Sequence, residues 1–326
     1  MQKRFAILTA LVCLAALCAG CMPSANNPSK EGISVDVIQP EIPESLETNE
    51  QGVPILKVYD TQSEKIEEMD LETYVMGVLA GEMKNDWPLE ALKAQAILAR
   101  TFVLKFVETK DSKYEGADIS TDVSEAQAYS EANINEAIRT AVEQTRGMVL
   151  SYEGELPQAW FHAHAGGKTE LPSVALDYKQ GDPAYLTVVD SPDSEDAPED
   201  VKNWTATFTA EQVGKACADT GVQTGTVESI EIDSRGESGR VERFKINGVS
   251  VSAPSLRIQI GANKLKSTLI DRVTIQDGKV TFEGRGFGHG VGLSQWGAYA
   301  MAEDGKNAEE IVLHYFQGVG IARIWD

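Results

Sequence analysis

The hydrophobic rhythm of this chain changes once, and that change bounds the fold. Between residues 71 and 145 apolar side chains recur every three or four positions, the period of an amphipathic helix. After Gly147 they alternate over short runs separated by turn residues, the period of a half-buried strand. Helices first and strands afterwards predict an α+β protein, with N-terminal helices packed on a mostly antiparallel sheet. Three helices are expected: Leu71 to about Met83, a second with Pro88 near its first turn, and a third over residues 130–145 ended by Gly147. Ala94, Ala96 and Ala99 leave the second helix thin on one side, so another backbone can approach it. "PILKVYD" (54–60) reads as a strand, and "GMVLSYEGELPQAWFHA" (147–163) as a hairpin turning at Glu153-Gly154. Residues 205–283 read as a strand-rich sub-lobe with tight turns at Asn247-Gly248 and Asp277-Gly278, set within a domain spanning 53–326. The acidic stretch "DSPDSEDAPED" (190–200) reads as a solvated surface loop, and "NAEEIVLHYFQ" (307–317) as a closing helix.

The N-terminus stands apart from this pattern. Lys3 and Arg4 precede the apolar run "FAILTALVCLAALCAG", which is short for a membrane span and reads as a signal peptide over residues 1–20. Its end, "LCAGC", resembles the lipobox of bacterial lipoproteins, with Cys18 where a leucine usually stands. Cleavage before Cys21 and lipidation there would hold the protein on the outer face of the cell membrane; plain secretion is the alternative. Residues 21–52, rich in Pro, Ser, Asn and Glu, read as a disordered tether. With Cys13 and Cys18 removed and Cys21 lipidated, Cys217 is left alone, so neither an intrachain disulfide nor a Cys-based zinc site is expected. The net charge of −21 argues against a nucleic-acid partner, because phosphate binding needs clustered Lys and Arg.

Within the first helix, Leu71, Tyr74, Val75, Val78 and Leu79 form one apolar stripe, and the next position on it is Glu82. A carboxyl group on a buried face is desolvated, which raises its pKa and suits it to general acid work. Snorkelling at the helix end, or pairing with Arg100, are the plain structural readings. Three of the four histidines fall in glycine-flanked stretches, His162 and His164 in "FHAHAGGKTE" and His289 in "GFGHGVG". His162 and His164 have the spacing of two zinc ligands, but no third ligand is visible and HExxH is absent. Glycine occupies alternate positions 284, 286, 288, 290 and 292, one face of an extended chain, against which a polymer or another backbone could lie. "GGKT" at 166–169 lacks the upstream glycine of a Walker A loop, since position 162 is His, so nucleotide binding is not expected.

Three stretches together resemble the SpoIID/LytB family of bacterial cell-wall proteins: "YVMGVLAGEM..WPLEALKAQAILART", "TRGMVLSYEGELPQAWFHAHAGGKTE" and "GRGFGHGVGLSQWGAYAMAEDGKNAEEIVLHYFQGV". The likeness runs from about residue 54 to 326. It implies a lytic transglycosylase acting on peptide-free peptidoglycan glycan strands, with Glu82 of "AGEM" as the catalytic acid and no cofactor. Arg100, Thr101, His162, His289, Ser294 and Gln295 are the residues expected to line the sugar groove. Some members hold zinc in a Cys-Asp-x-x-His-Cys-Gln stretch; here "TDVSEAQAY" has Thr121, Glu125 and Ala126 at the ligand positions and keeps Gln127 and Tyr129, so no metal is expected. The amidase-enhancer branch of the same family implies an alternative, a non-catalytic glycan binder that stimulates a cell-wall amidase or SpoIIP-like partner. A zinc hydrolase using His162 and His164 is a third reading.

Overall fold

The computed structural model describes residues 37–326; the expected signal peptide, Cys21 and the start of the expected tether lie outside the described residues. The part of the tether that is described, 37–52, is not disordered. Pro40, Pro43 and Leu46 are buried, Ser151 Oγ donates to the Ile38 carbonyl at 2.6 Å, and Gln39 donates to the Arg323 carbonyl at 3.1 Å. Three apolar anchors at close spacing are enough to fasten a segment whose composition is otherwise that of a linker.

β1 (Ile55–Asp60) and β2 (Lys65–Asp70) form an antiparallel hairpin, and its last residue, Asp70, caps α1 (Leu71–Glu82) by accepting the Thr73 N–H at 2.9 Å. The apolar stripe of α1 is fully buried at Leu71, Tyr74, Val75, Val78 and Leu79. The helix stops where Met83 turns extended. Pro88 then caps α2 (Leu89–Thr109). Ala94, Ala96 and Ala99 have no exposed surface, and buried positions run all round α2, which marks it as the central helix of the body.

β3 (Ile119–Ser120) pairs in parallel with β1. The expected third helix is broken: a single 3₁₀ turn at Glu131–Asn133 is followed by α3 (Glu136–Gln144), because the Asn135 side chain accepts the Ile138 N–H at 3.0 Å and starts a new helix. The turn at Glu153-Gly154 forms, with φ of 55° and 89°, but its arms pair only through Tyr152 and Glu155. Pro157 has no N–H to continue a ladder. β4 (Met148–Ser151) pairs instead with the C-terminal strand Gly320–Arg323, and β5 (Phe161–His162) pairs in parallel with Leu293–Ser294. Two single helical turns follow, α4 (Pro172–Ala175) and α5 (Glu199–Lys202). The acidic loop before α5 is not the solvated excursion expected: Ser191 and Ala197 are buried and the Asp193 side chain is only 4% exposed.

The stretch from β6 (Trp204–Thr209) through α6 (Ala210–Asp219), β7 (Ile230–Arg235), β8 (Val241–Ile246), β9 (Val249–Ser252), α7 (Ala253–Ile260), β10 (Ile270–Gln276) and β11 (Lys279–Gly284) has a hydrophobic core of its own. Two three-stranded antiparallel sheets, β10–β11–β6 and β7–β8–β9, carry it. Asn247-Gly248 and Asp277-Gly278 both have positive φ at the two turn positions, as a two-residue hairpin turn requires. The helices α6 and α7 are additions to the strand-only reading; α6 starts at a capping box of Thr209 and Gln212. The chain then returns to the main core through β12 (Leu293–Ser294), α8 (Gln295–Glu303), α9 (Ala308–Tyr315) and β13 (Gly320–Arg323). The class is α+β, with antiparallel pairing dominant.

Candidate active site

Glu82 is the last residue of α1, where the helix dipole is negative and an additional charge is unfavourable. Its carboxyl is half-buried; burial pushes its pKa above the ordinary range, and two donors oppose that shift. One is the Ala128 N–H, which donates to Oε1 at 2.6 Å. The other is Gln295 on α8, whose amide donates to the Glu82 backbone carbonyl at 3.3 Å and lies close enough to favour the charged carboxyl as well. The parallel pairing of β5 and β12 sets His162 opposite Ser294, the neighbour of Gln295. Three segments far apart in the chain therefore meet: the end of α1, the 125–129 loop, and the junction of β12 with α8.

His162 and His289 lie with ring centroids 5.6 Å apart, and both are bound to the backbone of one residue, Val291. The Val291 N–H donates to His289 Nδ1 at 3.0 Å, and His162 Nδ1 lies 3.1 Å from the Val291 carbonyl, so it is the protonated nitrogen. Among the described residues, His162 Nε2 is left as a buried lone pair without a partner. Burial and then the cationic Arg257 and Arg240 push His289 down to about 3; burial, His289 and Arg240 hold His162 well below the imidazole range. Both rings are neutral. His164 is committed elsewhere: its Nδ1 accepts the Gly166 N–H at 3.0 Å and sits 3.6 Å from Asp193. Among the described residues, no group of three or more His, Cys, Asp or Glu is placed to hold a metal ion.

The remaining expected groove residues divide. Ser294 caps α8 and donates to Asp193 Oδ1 at 2.5 Å; it is fully buried and serves the packing of the acidic loop. Arg100 and Thr101 do not line a groove. Arg100 is fully buried and forks onto Glu72, Nη2 to Oε2 at 2.6 Å and Nε to Oε1 at 3.1 Å, while Thr101 Oγ1 donates to the Ile97 carbonyl and accepts the Leu150 N–H. The helical spacing that brings them near Glu82 in sequence turns them toward β4 in space.

The glycine ribbon is not an open face either. Gly290 has a φ of 93°, and a Cβ there would overlap the guanidinium of Arg240; a Cβ at Gly288 would come within 2.7 Å of the His162 Cβ. The "another backbone" that lies against the glycines is the protein's own 160–165 segment. Arg240, from the loop before β8, donates to the carbonyls of Ala165 at 2.8 Å and His289 at 3.1 Å and ties the second core to this ribbon. Sequence reasoning missed the Ala128 N–H, which has no side-chain signature. Gly77 and Gly81, four apart in a helix, are the available hint of a backbone lying close.

The profile of the stage II sporulation protein (SpoIID) family matches residues 59–152, the stretch holding Glu82 and Ala128, and a domain of unknown function matches residues 181–292. The chain is 33% identical to stage II sporulation protein D of Bacillus amyloliquefaciens, over 81% of this chain and 78% of that protein. It is 31% identical to an uncharacterised protein of Brachyspira hyodysenteriae, over 78% of this chain and 67% of that one. Its 31% identity to the amidase enhancer of Bacillus subtilis covers 74% of this chain but 39% of the enhancer. The chain belongs to the SpoIID family.

Proposed function

We propose that this protein is a peptidoglycan lytic transglycosylase that cuts the MurNAc–GlcNAc bonds of peptide-free glycan strands, in sporulation or cell-wall remodelling. The observation that carries this reading is a single desolvated carboxyl, Glu82, with a raised pKa and one oxygen held by a backbone N–H. A transglycosylase needs one such group. The protonated carboxyl donates to the glycosidic oxygen, and the C1–O bond breaks with its electron pair on that oxygen. The muramyl 6-hydroxyl oxygen bonds to C1, closing a 1,6-anhydro ring, and its proton returns to the carboxylate. Water is not a reactant, so the second carboxylate of ordinary glycosidases is not required. His162 is neutral and buried behind the glycine ribbon, so it is not a proton store for the reaction. The apolar run after Lys3 and Arg4 and the lipobox-like "LCAGC" support a setting outside the cytoplasm, anchored by lipid at Cys21 to the outer face of the membrane, where such strands are found.

Denuded glycan strands incubated with the protein should yield anhydro-muramyl products by mass spectrometry, and Glu82→Gln should not. A second reading, a non-catalytic glycan binder that enhances a cell-wall amidase, is favoured by the likeness to the amidase enhancer. It predicts no products from the wild type and stimulation of a partner amidase that survives Glu82→Gln.

A further inference from the structure

The last turn of α1 is built to receive a backbone. Gly77 and Gly81 lie one above the other on it. A Cβ on Gly81 would sit 2.6 Å from the Ala128 carbonyl carbon and 2.6 Å from the Tyr129 nitrogen, and a Cβ on Gly77 would overlap the Tyr129 ring. With neither present, the loop lies directly on the helix: the Ser130 N–H donates to the Gly77 carbonyl at 2.9 Å, and Tyr129 stacks on Tyr74 at 5.5 Å between centroids. The loop is braced from its other side. Glu125 accepts the Lys113 N–H at 2.6 Å and the Ser112 hydroxyl at 3.0 Å, and Asp122 pairs with Lys113 Nζ at 2.6 Å. Each glycine inside a helix costs roughly 1 kcal/mol relative to alanine, so two in one helix call for a reason. The Ala128 N–H on Glu82 Oε1 supplies it. Among the described residues no side-chain hydrogen bond ends on Oε2, and that atom is not among the buried polar atoms lacking a partner, so it opens to the surface.

We propose that Gly81 is a positioning residue: by lacking a Cβ it seats Ala128 on α1, so that the Ala128 N–H holds Oε1 of Glu82 and leaves Oε2 as the oxygen that carries and delivers the proton. An N–H donor prefers the carbonyl-like oxygen of a neutral carboxyl, which places the acidic hydrogen on the other one. The inference rests on the reading of Glu82 as the acid. The seat itself can be tested without activity. The titratable group coupled to Glu82 is Tyr74 on α1, which also faces Tyr129 and Glu125 of the loop; burial raises the Tyr74 and Tyr129 hydroxyls above their usual range, so they stay neutral at the pH of the test.

The experiment uses the full-length chain labelled with ¹³C-glutamine and ¹⁵N-alanine, and a second sample labelled with ¹³C-glutamate. The sequence has three Gln-Ala pairs, 95–96, 127–128 and 158–159, so the Ala128 amide is one of three resonances. In the wild type that amide should shift with pH along the titration of Glu82, followed by its side-chain ¹³C signal. In Gly81→Ala the amide response should vanish and the Glu82 midpoint should rise by about one to two pH units, the size of one hydrogen bond to a charged group. Ala128→Pro deletes the N–H itself, should raise the midpoint likewise, and decides the matter if Gly81→Ala does not fold. An Ala128 amide in the wild type that ignores pH, or a midpoint unmoved in either variant, overturns the proposal. Absence of anhydro product from the wild type would instead refute the acid reading, and with it the proton-delivery half, while the amide and midpoint still judge the seat.

Discussion

Glu72 lies in the first turn of α1 and Glu82 ends it, and both carboxyls are withdrawn from water. Glu72 receives four hydrogen bonds: two from Arg100, one from the Gly147 N–H at 3.0 Å and one from Trp325 Nε1 at 2.8 Å. Three of these donors end on Oε1 and one, from the Arg100 guanidinium, on Oε2, so both oxygens are held, a cation is attached, and the group joins α1, α2, β4 and the C-terminus. Glu82 has one N–H on one oxygen, the Gln295 amide as its other nearby donor, no attached cation, and a helix end that disfavours its charge. Two residues of one type on one helix thus become a structural ion and a proton carrier. What separates them is the number of donors within reach, not the degree of burial.

The contrast can be broken in several places. Glu72→Ala leaves the Arg100 guanidinium buried and unpaired, and should cost about 3–5 kcal/mol in a chemical or thermal unfolding experiment. Near-wild-type stability would mean that the pair is not what fastens the helix. Glu82→Gln should lower anhydro-product formation by about 10²–10⁴-fold, the usual worth of a general acid. Trp325→Phe removes one donor from Glu72 and should cost about 1.5–3 kcal/mol.

The stability of Glu82→Gln should move the other way. A carboxyl whose folded pKa is raised stabilises the fold while neutral, below its unfolded value of about 4.3, and loses that advantage as pH rises through the folded value. The amide can still accept the Ala128 N–H. At pH 7 the variant should therefore melt at or above the wild type, by about 1–3 °C, and the difference should close below about pH 4. The smallest effect belongs to Gln295→Ala, which removes a group favouring the charged carboxyl. The basic limb of the pH profile of product formation should shift upward, with little change in the melting temperature; a downward shift would contradict the geometry.

Much of this was legible before the structure, and the division follows the range of the interactions. The buried stripe of α1, the capping residues and the positive-φ turns at Asn247-Gly248 and Asp277-Gly278 are local, and local chemistry writes them into neighbouring residues. The placement of a carboxyl at the end of an apolar stripe is local too, so the sequence singles out Glu82. Arg100 was misplaced because its partner, Glu72, lies 28 residues away, and nothing local distinguishes a buried guanidinium from a groove-lining one. The pairing of β4 with β13 and of β5 with β12 joins strands more than a hundred residues apart and leaves no periodic trace. Asp193 hid within an acidic run whose average character is that of a surface loop, although its own carboxyl accepts the Ala165 and Gly167 N–H groups. The family likeness supplied what periodicity could not, by tying the three motifs to one fold.

The most direct measurement is the titration of Glu82 itself, read from its side-chain ¹³C carboxyl resonance in the intact chain and assigned with Glu82→Gln. The account predicts a midpoint clearly above the ordinary 4.5 of a free glutamate. A midpoint at or below 4.5 would contradict the claim that this helix end keeps a proton ready for the glycosidic oxygen.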